Sequence, residues 1–508
     1  MNSTLILSRS WAALLLAALS SCRHEPESPG DFDLGPKYPA AVYEALNNHR
    51  CFQCHGDGAQ YGGLDLSTWS KLKVSGSLVP YWPDYSHLLW HVNLYQDLGI
   101  RGEPFMPVKM ENNQWVGDSA GAMSYETVKM LNDWIAAGAK NNNGEAMWEE
   151  KSLSPNKKYL FLSSGADLIG QVDAETGVVT RYASVGVAQD KVESPHFVVS
   201  DGEYLYLTLI AGGKVEKYRA DDLSFVARTE VGASPAHVKV GQRHLIVTHW
   251  NPASSGEKVT LLDKSTMQIT DQISGSFIHR PHGLAVNNDF SRAYITANDG
   301  NYFVTLNINP VTGKFTGDYL ETVISGTVPA ASATVSPYQC VLSEDETRLY
   351  VTCPKLNAFY LYDVTGSEPS LVRKVESPGS VQCNEGMGLF PKLLALAEDK
   401  IFVVCYKEKC ASSANRGREG CVSVFDLEGN WIKNVYGLGH QLHGIDYDPN
   451  YRRVWVTCEN QDGESHHSGP DAPQSPGQIN AILLPDLTVE RQLPREVASF
   501  PTGGVVIR

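Results

Sequence analysis

What this chain has little of narrows it first. Its 508 residues carry 42 Lys+Arg against 57 Asp+Glu, a formal charge of −15, so it has no basic excess with which to recruit a phosphate backbone. Nucleic acid is not an expected partner. No GxGxxG dinucleotide fingerprint, P-loop or HExxH occurs, which leaves nucleotide-dependent and zinc-peptidase chemistry without a motif. The apolar run WAALLLAAL near the N-terminus is well short of the roughly 18 residues that a membrane helix needs. Cysteine is sparse at ten, and only one CxxC pair exists, so a structural zinc site built from two such pairs is ruled out.

That single pair is CFQCHGDG, Cys51 to Gly58. Two cysteines separated by two residues and followed at once by histidine is the attachment pattern of a c-type haem. On one helical turn the thiols of Cys51 and Cys54 can add to the two vinyl groups, while His55 comes beneath the iron as its proximal ligand. A zinc site or a plain disulfide is the alternative. A thioredoxin-like redox pair would need a strand before it, and the preceding YPAAVYEALNNHR is helical in pattern.

Residues 1–22 form a targeting segment: Arg9, then WAALLLAAL, then LSSC ending at Cys22. This resembles the lipobox of bacterial lipoproteins, which implies cleavage before Cys22 and lipid attachment to it; a secretory signal with an incidental cysteine is the alternative. Either places the mature chain outside the cytoplasm, lipid-anchored and facing the periplasm or cell surface in the first case. Arg23 after the cysteine favours the outer membrane. Residues 23–40, rich in Pro and acidic groups, read as a flexible tether. With Cys22, Cys51 and Cys54 assigned, seven cysteines remain, and an odd remainder leaves at least one unpaired within the chain. Cys410 and Cys421, flanking a polar insert, are the expected disulfide in an oxidising compartment.

Residues 41–140 read as a small all-α domain. DYSHLLWHVNLY and SYETVKMLNDWIAAGAK carry apolar residues at helical spacing, the second with Ser124 as N-cap and Leu131, Trp134 and Ile135 on one face. The order CHG, GGLDLSTWSKL, the Met-Pro element PFMP and LNDWIAAGA resembles the single-haem cytochrome c domains of planctomycete-type multidomain proteins, over about 100 residues. The resemblance implies Met106 as the distal iron ligand. Met110 in the same loop, or His87 and His91 spaced i, i+4, are the competing donors, and an open site remains a further choice. Val108 stands where that family often has a second proline.

After a polar linker at 141–153 the chain repeats itself to its end. Copies begin at Ser194, Ser234, Arg280, Ser336, Gly379 and Gln441, each with a short apolar strand, a turn, a β-rich strand ending in Thr or Cys, and an alternating strand. Residues 159–185 offer three strands without an inner one, and FPTGGVVIR, Phe500 to Arg508, matches the missing piece. Residues 154–508 therefore read as an all-β seven-bladed propeller closed by the C-terminal strand. YLTL, YITAN, YVTC and VWVTC make it similar to the YVTN-type propeller family, a resemblance specific for fold and not for function.

His196, His237, His282 and His443 stand at the entrance to the inner strand in four blades, with Gln339 there in a fifth. In a ring such positions converge on the channel mouth, where imidazoles would suit a second metal or haem, with His249 and Glu385 as additions. Packing and turn hydrogen bonding is the structural alternative. Three functions follow. The first is an anchored one-haem electron carrier whose propeller docks a redox partner protein or small-molecule donor or acceptor. The second is a propeller oxidoreductase, nitrite-reductase-like or dehydrogenase-like, with a second cofactor at the mouth. The third is a ligand-binding or adhesion propeller with a redox-sensing haem.

Overall fold

The computed structural model describes residues 37–506 apart from 57–63, 76, 100–104, 112–113, 148–157, 165–166, 187–192, 251–257, 276, 378–385, 408–419, 440, 460–476, 491–494 and 498–500. Cys22 with its lipobox, most of the tether, Glu385 and Cys410 lie outside the described residues.

The N-terminal unit is helical: α1 (Ala40–Asn48), α2 (Cys51–His55), α3 (Trp69–Ser75), α4 (His87–Val92) and α5 (Tyr125–Ala136). Tyr38 already belongs to it, buried and donating its hydroxyl to Leu66 O at 3.0 Å. In α5 the Ser124 side chain accepts from Thr127 N, and Val128, Leu131, Trp134 and Ile135 form the buried stripe that the periodicity predicts. Helix α4 is shorter than the run DYSHLLWHVNLY suggests. Ser86 is extended, and its hydroxyl is spent on Val79 and Trp82 backbone atoms; Asn93 turns its side chain onto Tyr95 N at 2.8 Å. Both residues offer the backbone a local partner that competes with the helix.

The remainder is a seven-bladed propeller. Blades 2 to 7 each take their strands in chain order, starting with Pro195–Ser200, Pro235–Val240, Pro281–Val286, Cys340–Leu342, Leu389–Ala397 and Leu442–Asp448. Blade 1 draws its inner strand, Pro501–Val506, from the chain end and pairs it antiparallel to Tyr159–Ser164, with Val505 opposite Phe161. The outer strand of blade 7 is split into Thr488–Val489 and Arg495–Val497, both paired with Gly477–Leu483. Seven separate apolar cores fill the seams between neighbouring blades, such as Ile246 and Leu261 of blade 3 against Leu284 and Ile295 of blade 4. No blade buries its two faces alone, so the ring is the folding unit.

The inner strands of blades 2 to 7 begin in the same way. A residue in the left-handed region (Ser194, Ser234, Arg280, Ser336, Phe390, Gln441) precedes a Pro or Leu, and in five of these blades a bulge follows within the strand. The threonine of the second strand then joins blades. Thr248 Oγ1 accepts from His237 N in its own blade at 3.2 Å and donates to His282 O in the next at 2.7 Å. Thr208 does the same between Phe197 N and Ala236 O, and Thr296 between Gly283 N and Tyr338 O. Thr352 and Ser163 reach Lys392 O and His196 O likewise. This relay explains the Thr of the repeated strand signature: one hydroxyl satisfies two buried backbone groups on two blades. Thr248→Val should therefore lower unfolding free energy by about 2 kcal/mol or more, since it strands a buried N–H and a buried C=O. Thr248→Ser should recover most of it, as read by chemical denaturation.

The helical unit docks where the ring closes. Val79 is buried in the core shared by Leu160 and Leu162 of blade 1 and Trp455 and Ile479 of blade 7, and Trp82 packs edge-on against Tyr182, ring centroids 6.3 Å apart. The Ser86 contacts that shorten α4 shape this 79–82 turn.

Candidate functional site

The CxxCH stretch forms the single turn α2, entered through Arg50 in the left-handed region. Cys51 is half-buried and Cys54 exposed, and neither is in a disulfide. Burial pushes the Cys51 thiol up to about 11, with its own backbone hydrogen bond opposing and Cys54 adding to the rise. His55 ends the turn, its carbonyl accepting from Leu66 N at 2.6 Å. Gly56 must follow: a Cβ there would lie 2.3 Å from Phe52 O. The turn is thus fixed at its C-terminal end, with Cys51 against the helical core and Cys54 exposed.

The helical core is only partly covered by several of its apolar residues. Cys51, Phe52, Leu64, Leu98 and Met106 are only half-buried, yet all pack against Leu46, Leu66, Leu131 and their neighbours. Met106 is held by its N–H on His91 O at 2.5 Å. Met110 is 52 % exposed on the hairpin strand Val108–Glu111 and is not among the residues packed on that core. His87 and His91 meet each other, Nε2 to Nε2 at 2.7 Å with their rings perpendicular, as their spacing on α4 predicts. Of the sequence-level donors, Met106 and Cys51 each pack against the helical core, and His91 is joined to Met106 through its backbone carbonyl.

The second cluster lies at the propeller axis. The inner-strand bulges turn the residue after Pro195, Pro281 and Leu442 inward, giving His196, His282 and His443; His237 sits one position later, beyond Ala236. All four are buried. His237 and His282 have ring centroids 4.6 Å apart, and His196 lies 6.1 Å from His237, 6.2 Å from His282 and 6.1 Å from His443. One ligand atom from each of His196, His237 and His282 falls within 4.8 Å of the others. The ring of His237 stacks on Phe197 at 4.3 Å, and burial, then His282 and His196, hold it well below the usual imidazole range, so it is neutral at physiological pH.

Two expected members do not join this cluster. His249 donates Nδ1–H to Ala233 O and accepts at Nε2 from Thr260, both at 3.0 Å, and burial lowers it to about 4. Gln339 is spent on the fold: its Oε1 accepts Leu394 N at 2.5 Å in blade 6, where Val404 replaces the relay threonine. The true counterpart of His282 in blade 5 is Tyr338, and in blade 6 Lys392. This opposite side of the mouth holds Lys392 Nζ 3.8 Å over the Tyr406 ring and buried Glu459 3.8 Å from His443 Nε2. Burial pulls Lys392 below its ordinary value against the opposing pull of Glu459. Sequence reasoning missed Lys392, Glu459 and Tyr406 because nothing in their local pattern marks them.

The cysteines of the later blades, Cys340, Cys353, Cys405, Cys421 and Cys458, are buried in seam cores, with Cys405 and Cys421 directly opposite on neighbouring strands. The proposed Cys421 partner, Cys410, is outside the described residues. The expectation that the chain holds no GxSxG nucleophile elbow is corrected by Gly117–Gly121, which reads GDSAG. Here Ser119 follows one arm of a two-stranded hairpin and opens a single 3-10 turn capped by Asp118, so the parallel-sheet setting of that motif is missing.

No family model matches the chain, and no curated protein does. Solved structures do. A putative 6-phosphogluconolactonase of Bacteroides uniformis is 11% identical, with 69% of this chain and 99% of that one covered and a TM-score of 0.50. A protein of Lactobacillus plantarum is 12% identical over 69% and 100%, also at 0.50. The periplasmic gluconolactonase of Pseudomonas aeruginosa is 13% identical over 70% and 99%, at 0.49. At such identities the likeness is one of architecture, and the conclusion is that this chain carries a seven-bladed β-propeller.

Proposed function

We propose that this chain is an exported c-type cytochrome that transfers electrons through one haem attached at Cys51 and Cys54, with the propeller as the platform on which a redox partner protein or a small-molecule donor or acceptor docks. The observation that carries the reading is the donor set on one turn: two thiols outside any disulfide and an imidazole on α2, in a helical unit whose core leaves Cys51, Phe52, Leu64, Leu98 and Met106 half-buried. Haem c held there supplies one-electron exchange at a potential set by the axial donors.

The chain's own residues account for the rest. The Leu66 N–H on the His55 carbonyl and the tight Gly56 corner fix the end of the turn, so His55 is presented in one orientation. Phe52, Leu64 and Leu98 are half-buried apolar side chains on the same core and would supply apolar contacts to a bound macrocycle. Met106, tied to His91 by its backbone, would be the thioether donor to the iron. Export and a lipid anchor on Cys22, with the outer membrane favoured, belong to the same reading and rest on WAALLLAALSSC.

Potentiometric titration of the holoprotein tests this. A reversible one-electron couple is expected, and Met106→His should move it downwards by a sizeable part of the roughly 0.8 V that axial ligands command. Absence of such a couple would end the electron-carrier reading, and an unmoved potential would hand the distal role to Met110, His87 or His91.

A further inference from the structure

We propose that His196, His237 and His282 form a transition-metal site of the copper or zinc class at the propeller axis, with His443 in reach as a fourth donor. It is separate from the haem turn and does not depend on it.

Three observations carry it. The first is convergence: three consecutive blades each place one imidazole ligand atom within 4.8 Å of the other two, and all three histidines are buried. A tetrahedral ion with metal–nitrogen bonds near 2.0 Å wants its donors about 3.3 Å apart, so ring rotations of an ångström or so complete the site. The second is an unmet need. His237 is 1 % exposed, and its Nδ1 has no hydrogen-bond partner among the described residues. A buried imidazole nitrogen left so costs free energy, and a coordinated ion removes that cost.

The third is orientation. A carbonyl oxygen only accepts, so the contact of His282 Nδ1 with Tyr338 O at 2.9 Å makes Nδ1 the protonated nitrogen and leaves the lone pair on Nε2. His443 is fixed in the same way by Thr502 O at 2.6 Å. An imidazole whose far nitrogen donates to a backbone carbonyl is how proteins commonly aim a metal-ligating histidine. The relay threonines then hold those backbones: Thr248 grips the carbonyl of His282 and the N–H of His237 together.

The donor set also selects the ion. Three imidazoles without a carboxylate among them suit copper and zinc and are poor for magnesium, calcium or manganese. The carboxyl group of Glu459 lies 3.8 Å from His443 Nε2.

The test uses full-length holoprotein, stripped with a chelator and titrated with Zn2+ and, anaerobically, with Cu+ against a chromophoric competitor. One equivalent of one of these ions should bind, and His237→Ala should weaken it by about 100-fold or more, above the loss that outer partners alone cause. His237→Gln, which keeps a polar side chain of similar size, guards against misfolding, and an unchanged thermal unfolding curve without metal identifies a folded variant. His466→Ala/His467→Ala, removing the adjacent pair in the sequence, should leave the equivalent in place. Stoichiometry that is unaltered in folded His237 variants, or lost only with the 466–467 pair, overturns the proposal, as does wild-type protein that takes up neither ion.

Discussion

Replacing Cys51 and Cys54 together by alanine is expected to abolish covalent haem retention while leaving the propeller folded. After matured protein is denatured and run on a gel, the wild-type band should hold its haem and the double variant should hold none. Each single variant should keep one thioether and a reduced yield. The asymmetry on α2 adds a finer expectation. Cys51 is half-buried with its thiol pushed up to about 11, whereas Cys54 faces solvent. Reagents that need a thiolate should thus modify Cys54 first in haem-free protein. The propeller should be indifferent to all of this, because its seven cores contain nothing of the helical unit except Val79 and Trp82. Haem that survives in the double variant would remove α2 from the account.

The second large effect concerns ring closure. Deleting residues 501–508 should cost the propeller at least about 5 kcal/mol, which is comparable with the whole stability of many domains. The strand Pro501–Val506 pairs along Tyr159–Ser164, and its Thr502 both donates to His196 O at 2.9 Å and accepts from His443 at 2.6 Å. Its removal frees a sheet edge, opens the seam between blades 7 and 1 and undoes the floor on which the helical unit rests. Circular dichroism and limited proteolysis should report a chain without cooperative unfolding. A truncated protein that melts within a few degrees of the full chain would show that the terminal strand is an accessory.

The propeller was legible because its signals are local and repeated. Pro-led inner strands, a Thr-ending second strand and acidic turns recur, and the odd set at 159–185 lacks the strand that Phe500 to Arg508 resembles. Less was legible at the mouth. His237 and Gln339 look equivalent to His196, yet His196 follows Pro195 directly whereas His237 stands two places after Pro235, and in blade 5 the facing residue is Tyr338. Blades 2 and 3 share the same bulge, so only the count from the proline separates a histidine at the mouth from one a place further along the strand. Gln339 illustrates the other limit: its role is to serve Leu394 N, 55 residues on, where blade 6 has Val404 in place of threonine. Lys392, Glu459 and Tyr406 assemble only through the ring. In the helical unit, periodicity placed α1 and α5 well, and α4 fell short because Ser86 and Asn93 spend their side chains on neighbouring backbone.

The most direct measurement is the haem content of wild-type protein produced in a host that attaches haem to CxxCH sequences. Denatured protein in alkaline pyridine, reduced with dithionite, should give the spectrum of a haem with two thioether bonds, at one haem and one haem iron per chain. Haem that extracts into acidified organic solvent, or a chain that carries none, would contradict the account.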